Sequence, residues 1–96
     1  MTNSVFELKA YPNPFGESLN IRYQLKESSW VRVEIYDALG QKVCILQDEL
    51  IASGPVKISW NGRNSFGTKV AKGVYSVRVT TNKNTANQLI IKTSPY

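Results

Sequence analysis

The side chains that could do chemistry are few in this sequence, and their spacing does not suit catalysis. Cys44 could act as a nucleophile, but the chain has no histidine to serve as its base. Asp48 and Glu49 are adjacent, and adjacent side chains of an extended chain point in opposite directions, so they do not form a catalytic carboxylate pair. Tyr75 has no titratable residue beside it that would make it an acid. We therefore expect a protein that is not an enzyme and that holds no cofactor or metal ion.

The charge of the chain is moderately basic. Twelve Lys and Arg residues against seven Asp and Glu residues give a formal net charge of +5, which permits weak attraction to anionic surfaces. The basic residues are scattered, and Arg22, Arg32 and Arg78 each fall on the polar side of a predicted strand, so we do not expect nucleic-acid binding. No apolar run reaches the length of a transmembrane segment, and the N-terminus lacks the apolar region of a signal peptide.

The elements that must position these residues are strands. Apolar and polar residues alternate in short segments separated by turn signals, and no helical period persists, which is typical of strands with one buried face. We predict strands over residues 5–10, 19–25, 31–36, 41–47, 55–61, 73–80 and 88–92. Their predicted core-facing residues are Phe6, Leu8, Leu19, Ile21, Tyr23, Leu25, Val31, Val33, Ile35, Val56, Ile58, Trp60, Tyr75, Val77 and Val79. The last strand is built around the apolar run Leu89, Ile90 and Ile91, for which no single face is predicted.

The connections also carry specific signals. Asp37 and Gly40 bracket a sequence typical of a type I turn that ends in a left-handed glycine, and this turn should close a hairpin. The connection over residues 61–72 is long for so small a domain, and we expect Phe66 and Val70 to pack it onto the core. Trp30 is expected to cover the rim of the core. Residues 82–85 are expected to form a turn and residues 93–96 a frayed tail.

The most distinctive peptide is the segment over residues 11–16, which we call the elbow. Pro12 and Pro14 remove two backbone donors and fix two φ angles, so regular strand pairing has to end or shift there. Tyr11 and Phe15 flank the prolines and are expected to pin the elbow to one end of the core. The elbow is either a rigid turn or a preformed recognition element, because proline-rich segments lose little entropy on binding.

Together these features predict an all-β fold, an immunoglobulin-like antiparallel β-sandwich of about seven strands. A single domain spans residues 1–96, with its core over about 5–92, and the polar start after Met1 would fit a module of a longer protein. Cys44 has no partner for an internal disulfide and is expected to be a small buried hydrophobe, which leaves its redox state and the compartment open. Tyr75, just after Gly73, is expected to act as a tyrosine corner.

Several of these peptides occur in the order found in a known family. The sequence resembles the type A C-terminal sorting domain of the type nine (Por) secretion system of Gram-negative bacteria, and it shares some of these motifs with the immunoglobulin-like modules of flagellar hook-capping proteins. The resemblance extends from about Tyr11 to Lys92. The peptides that carry it are Tyr11-Pro12-Asn13-Pro14-Phe15, Ile21-Arg22-Tyr23-Gln24-Leu25, Val33-Glu34-Ile35-Tyr36-Asp37-Ala38-Leu39-Gly40, Trp60-Asn61-Gly62-Arg63-Asn64, Gly67 and Gly73-Val74-Tyr75.

The resemblance implies a non-catalytic secretion signal at the C-terminus of a cargo protein. In that family an outer-membrane translocon recognises the domain, and a sortase-like peptidase often cleaves it as the cargo is released or attached to the cell surface. The implied recognition residues are Pro12, Asn13 and Pro14 in the proline motif, Gly73 and Tyr75 in the glycine–tyrosine motif, and the basic residue Lys92. Two departures stand out: Asn61 replaces a common aspartate, and residues 93–96 extend past the usual apolar end. We also expect the domain to be a monomer.

Two other functions suit the same fold. An accessory module that binds carbohydrate would display coplanar aromatic side chains, for which Trp30, Tyr36 and Tyr96 are the candidates. A structural cap of a filament would associate with itself or with a polymer.

Overall fold

The computed structural model describes residues 5–93, except for the side chain of Phe6, and it confirms the all-β prediction. Within that range the chain forms seven strands and no helix. The strands are β1 (Val5–Tyr11), β2 (Leu19–Leu25), β3 (Ser29–Asp37), β4 (Lys42–Ile51), β5 (Gly54–Trp60), β6 (Gly73–Thr80) and β7 (Thr85–Lys92). Strand β4 is longer than predicted because it pairs with β3 as far as Ile51 opposite Ser29.

The strands form two antiparallel sheets that face each other. Three strands pair in the order β1-β2-β5, and four pair in the order β4-β3-β6-β7. This is the predicted immunoglobulin-like sandwich, in which each sheet buries one face against the other. Strand β6 lies inside the larger sheet, whereas β7 lies at its edge.

The core follows the predicted alternation in most strands. The core residues are Val5, Phe15, Leu19, Ile21, Tyr23, Leu25, Val31, Val33, Ile35, Cys44, Trp60, Tyr75, Val77, Val79 and Ile90. Leu89 and Ile91 lie on the exposed side of β7. The sequence could not predict which face of β7 is buried, because three apolar residues follow one another there.

Tyr23 is a buried core residue with a polar partner. Burial and the nearby Glu49 raise the pKa of Tyr23 to about 12, and its hydroxyl donates a hydrogen bond to Gln47 Oε1 at 2.6 Å.

The first strand departs from the predicted alternation. Glu7 has a φ of 54°, and the pairing of β1 with β2 shifts between Phe6 and Lys9, as in a β-bulge. Val5 is therefore buried, and Leu8 packs partly against the core. The prediction that Phe6 faces the core concerns a side chain outside the described residues.

The hairpin between β3 and β4 forms as predicted. The Asp37 carboxylate accepts hydrogen bonds from the backbone N–H groups of Leu39 and Gln41, each at 2.9 Å. Gly40 has a φ of 82°, which glycine adopts without a steric penalty, and its N–H donates to the Asp37 carbonyl at 3.0 Å. The structural role expected for Asp37 is thereby confirmed.

The connection over residues 61–72 is folded on itself rather than packed through Phe66. The Asn64 side chain accepts hydrogen bonds from the N–H groups of Phe66 and Thr68, at 2.9 and 3.0 Å. These bonds hold the tip of the connection away from the core, so Phe66 is 91% exposed and its predicted packing is wrong. Val70 does pack partly against the core, as predicted.

Two further predictions concern single side chains. Trp30 does not cover the rim of the core: it is 50% exposed, on the opposite face of β3 from Val31, and donates to Asp48 Oδ1 at 2.6 Å. Cys44 is buried, as predicted, and burial raises the pKa of its thiol to about 11. Among residues 5–93 no helix has the length and apolar character needed to cross a membrane.

Candidate functional site

The elbow is fastened to the last strand by the side chain of Asn13. The Asn13 amide nitrogen donates to the Leu89 carbonyl at 3.0 Å, and its amide oxygen accepts from the Ile91 N–H at 2.9 Å. A strand residue would bond the edge of β7 with its own backbone N–H and carbonyl. Asn13 lies between two prolines that have no N–H, and its side chain supplies both groups instead.

Phe15 continues the same contact with its backbone. Its N–H donates to the Ile91 carbonyl, and its carbonyl accepts from the Thr93 N–H, both at 2.9 Å. Phe15 thus makes a parallel bridge with Lys92, and the Thr93 hydroxyl also donates to the Phe15 carbonyl at 3.1 Å. We call the bonds of Asn13 and Phe15 to β7 and Thr93 the clasp. Thr93 is therefore ordered rather than frayed; the rest of the predicted tail, residues 94–96, lies outside the described residues.

Beneath the clasp, three aromatic rings fill the end of the core. The rings of Phe15 and Trp60 have their centroids 5.6 Å apart, and the rings of Trp60 and Tyr75 are also 5.6 Å apart, edge to face. Phe15 is 1% exposed, so it pins the elbow as predicted, whereas Tyr11 is 36% exposed and does not. The Trp60 indole N–H donates to the Arg63 carbonyl at 2.9 Å, which fixes the start of the long connection.

Tyr75 has the geometry expected of a tyrosine corner. Its hydroxyl donates to the carbonyl of Ala71, four residues upstream, at 2.6 Å. Burial and, to a lesser degree, the charge of Asp37 raise the pKa of Tyr75 above its usual value. The hydroxyl is therefore held as a hydrogen-bond donor and is poorly suited to acid–base work near neutral pH.

Gly73 and Lys92 face each other in the register of β6 and β7. Gly73 has a φ of 152°, a conformation that side-chain-bearing residues rarely adopt, while a methyl group there would meet no atom within 4 Å. Lys92 is 2% exposed. Burial and then the charge of Lys69 lower the pKa of Lys92, and Glu17 partly opposes them.

The six predicted recognition residues therefore gather at one end of the sandwich. Pro12, Asn13, Pro14 and Gly73 are exposed there, whereas Tyr75 and Lys92 are buried beneath them. The sequence did not predict that the side chain of Asn13 forms the hydrogen bonds to β7 that a strand backbone would otherwise form. The one available signal was its position between two residues that lack an N–H.

On the exposed face of the larger sheet, the two described aromatic candidates, Trp30 and Tyr36, each contact a charged neighbour. The guanidinium of Arg78 lies over the ring of Tyr36, 4.2 Å from its centroid, and the Tyr36 hydroxyl donates to Glu34 at 3.1 Å. Trp30 is tied to Asp48. Tyr96, the third aromatic candidate, lies outside the described residues. Nor do the described residues include a group of three or more side chains suited to hold a metal ion.

Comparison with solved structures finds similar domains inside larger proteins. The chain is 26% identical to part of the dimeric latent PorU from Porphyromonas gingivalis, with a TM-score of 0.76, and the match covers 91% of this chain and 9% of PorU. It is 23% identical to part of PorZ of the same organism, described as an essential bacterial surface component of the type-IX secretion system; this match has a TM-score of 0.67, covers 91% and 11% of the two chains, and shows the fold alone. The chain thus spans about a tenth of either protein.

A solved structure of FlgD and a family model also match the chain. FlgD from P. aeruginosa is 26% identical, with a TM-score of 0.59, over 78% of this chain and 58% of FlgD. No curated protein matches the sequence. The model of the FlgD Ig-like domain family matches residues 13–85, well over half of the chain and most of the strands described above. The chain therefore belongs to the FlgD Ig-like domain family.

Proposed function

We propose that this domain is a non-catalytic C-terminal secretion signal, a type A sorting domain that directs a cargo protein across the outer membrane through the type IX secretion system. The single observation that carries this proposal is the clasp. It joins Asn13, which lies between the exposed Pro12 and Pro14, to Ile91 near the end of β7, 78 residues further along the chain. The similarity to part of PorU supports the link with type IX secretion.

The clasp makes the recognition surface dependent on folding. The proline motif and the end of β7 are joined through side-chain and backbone hydrogen bonds. A partner that binds the proline motif would therefore also contact the end of β7. An unfolded chain would present the same residues far apart. A translocon that recognises this surface would therefore distinguish a folded signal domain from a nascent or degraded chain.

The proposal includes partners and a location. The domain would follow an upstream cargo domain, be recognised as a monomer by an outer-membrane translocon, and be cleaved by a sortase-like peptidase. The cargo would end in the medium or on the surface of a Gram-negative bacterium. The absence of histidine from the sequence and the high pKa of the Cys44 thiol, about 11, support a role without catalysis.

A secretion assay tests the proposal directly. The domain is fused behind an N-terminal signal peptide and a reporter, and produced in a bacterium with a working type IX system. We expect the reporter at the surface or in the medium, and its retention in the periplasm would contradict the proposal.

Two variants test whether export depends on the clasp. Asn13→Ala removes both side-chain bonds to β7 and should reduce export. Asn87→Ala is the matched control, because Asn87 is also exposed, lies on β7 and bonds Arg78 rather than the elbow. Equal export of the two variants would show that the clasp is not what the translocon reads.

A structural role in an assembly is the second candidate, favoured by the family match and by the similarity to FlgD. Such a module would associate with copies of itself or with a polymer. Sedimentation velocity separates the two roles, because the sorting domain is expected to remain monomeric at concentrations at which an assembly module would form larger species.

A further inference from the structure

The connection over residues 61–72 brings two cations face to face beside the clasp. It folds as a small hairpin in which Arg63 and Lys69 are direct antiparallel partners. The Val70 N–H donates to the Gly62 carbonyl at 3.0 Å and the Asn64 N–H to the Thr68 carbonyl at 2.9 Å, which fixes this register. Like charges directly opposite each other on paired strands are destabilising, so this arrangement has an electrostatic cost.

A third cation lies against the same hairpin. Lys92 is almost fully buried, and its side chain runs over Gly62: a methyl group on Gly62 would lie 3.0 Å from Lys92 Cε and 4.0 Å from Nζ. Gly62 has a φ of 74°, so glycine suits both the backbone and the passage of the lysine. After burial, the positive charge of Lys69 is the second cause that lowers the pKa of Lys92.

These cations line a cleft of about 270 Å³, which we call the basic cleft. Its other lining residues are Glu17, Ser18, Asn61 and Gly62. Among the described residues that line it, Glu17 supplies the one carboxylate against three cations, which leaves an excess of two positive charges. Arg63 is held in place because its guanidinium donates to the Gly67 carbonyl at 2.8 Å.

We propose that the basic cleft binds a phosphate group of a ligand. Its excess charge matches a phosphate dianion, whereas a carboxylate would leave the cleft positively charged. Arg63, Lys69 and Lys92 all line the cleft, and a dianion bound there would relieve the repulsion between Arg63 and Lys69. This site does not depend on the secretion role, and it can be tested on the isolated chain of 96 residues.

The first test is a titration of the 15N-labelled chain with inorganic phosphate, followed by amide NMR at pH 7.5 and constant ionic strength. We expect saturable shifts over residues 61–70 and at Glu17 and Lys92, and weaker binding of acetate by about tenfold. Shifts that do not saturate, or acetate that binds as tightly as phosphate, would overturn the proposal.

A pair of matched variants locates the site. Lys69→Gln removes one cation of the cleft from an exposed side chain and should weaken phosphate binding by about tenfold without lowering Tm. Lys57→Gln makes the same change of charge on the exposed face of β5, and it should weaken binding by less than about twofold because salt screens distant charges. Equal losses in the two variants would show a general charge effect and reject the site.

A vesicle assay distinguishes the source of the phosphate. Phosphatidylcholine vesicles with and without phosphatidic acid are sedimented with the protein, since phosphatidic acid carries a phosphate monoester. Retention that requires phosphatidic acid and is lost in Lys69→Gln would indicate a headgroup, whereas binding of free phosphate alone would indicate a soluble phosphate compound. Absence of both kinds of binding would reject the proposal.

Discussion

The β3–β4 turn and the clasp use the same chemistry over very different distances along the chain. In the turn, the Asp37 carboxylate accepts bonds from N–H groups two and four residues away. In the clasp, the Asn13 amide bonds groups 76 and 78 residues away. In both, a short polar side chain replaces a peptide group. The turn is set by neighbouring residues, whereas the clasp forms only after both sheets have come together.

The difference in distance along the chain predicts which contacts affect the stability of the whole domain. A turn made of local bonds can form early and costs little loop entropy. The clasp closes nearly the whole chain, so it should be sensitive to any loss of packing in the aromatic cluster below it. We therefore expect changes at the clasp to affect global stability and changes at the turn to remain local.

The largest expected effect is that of Phe15→Ala. The ring is buried against Trp60, so its removal should lower the free energy of unfolding by about 3–4 kcal/mol. Urea denaturation followed by Trp fluorescence measures this loss. Phe66→Ala is the control, because that ring is 91% exposed and its loss should change stability by less than about 0.5 kcal/mol. Similar losses in both variants would mean that the elbow is not pinned by Phe15.

Asn13→Ala should have the next largest effect. The loss of two exposed hydrogen bonds is expected to lower stability by about 1–2 kcal/mol and to increase hydrogen exchange of the Ile91 amide. Asn87→Ala, on the same strand, should leave the exchange of Ile91 unchanged. If Ile91 stays protected in Asn13→Ala, Phe15 alone holds the clasp.

Tyr75→Phe should lower stability by about 1 kcal/mol, because it removes the bond to the Ala71 carbonyl. Since folding raises the pKa of Tyr75, its contribution is fully present below the pKa of about 10 expected for an unfolded tyrosine, and is lost as the pH rises through its folded pKa. The variant should therefore lose less stability above pH 10 than the parent. Identical pH profiles of Tm would exclude this linkage.

The smallest effect is expected for Asp37→Ala, at about 0.5–1 kcal/mol, because the turn keeps its backbone hydrogen bonds from Gly40 to Asp37 and from Asp37 to Gln41. Faster amide exchange should be confined to Leu39 and Gln41. Asp37→Asn retains an acceptor oxygen and should behave more like the parent. Faster exchange at Ile91 in Asp37→Ala would remove the distinction between the local turn and the clasp.

Predictions from the sequence succeeded where a single strand or turn decides the outcome. The alternation in β2, β3 and β6 correctly placed Leu19, Val33 and Val77 in the core, because side chains of a strand alternate in any sheet. They failed where a local irregularity that the alternation does not signal sets the direction of a side chain. A bulge at Glu7 changed the faces of β1, and the bonds of Asn64 kept Phe66 exposed.

For the candidate site, the sequence identified the residues but not how they meet. Pro12, Asn13, Pro14, Gly73, Tyr75 and Lys92 were named from motifs that lie far apart in the chain. The motifs do not show that Asn13 bonds β7 or that Lys92 passes over Gly62. These contacts depend on the position of β7 at the edge of the larger sheet.

The sequence by itself determined an all-β body, its strands and the Asp37 turn, because alternation and turn chemistry act between near neighbours. Only the tertiary structure decided that the two ends of the domain close on each other and that three cations share one cleft. The physical reason is that each of these contacts needs two segments, and their approach is set by the packing of the sheets rather than by either segment.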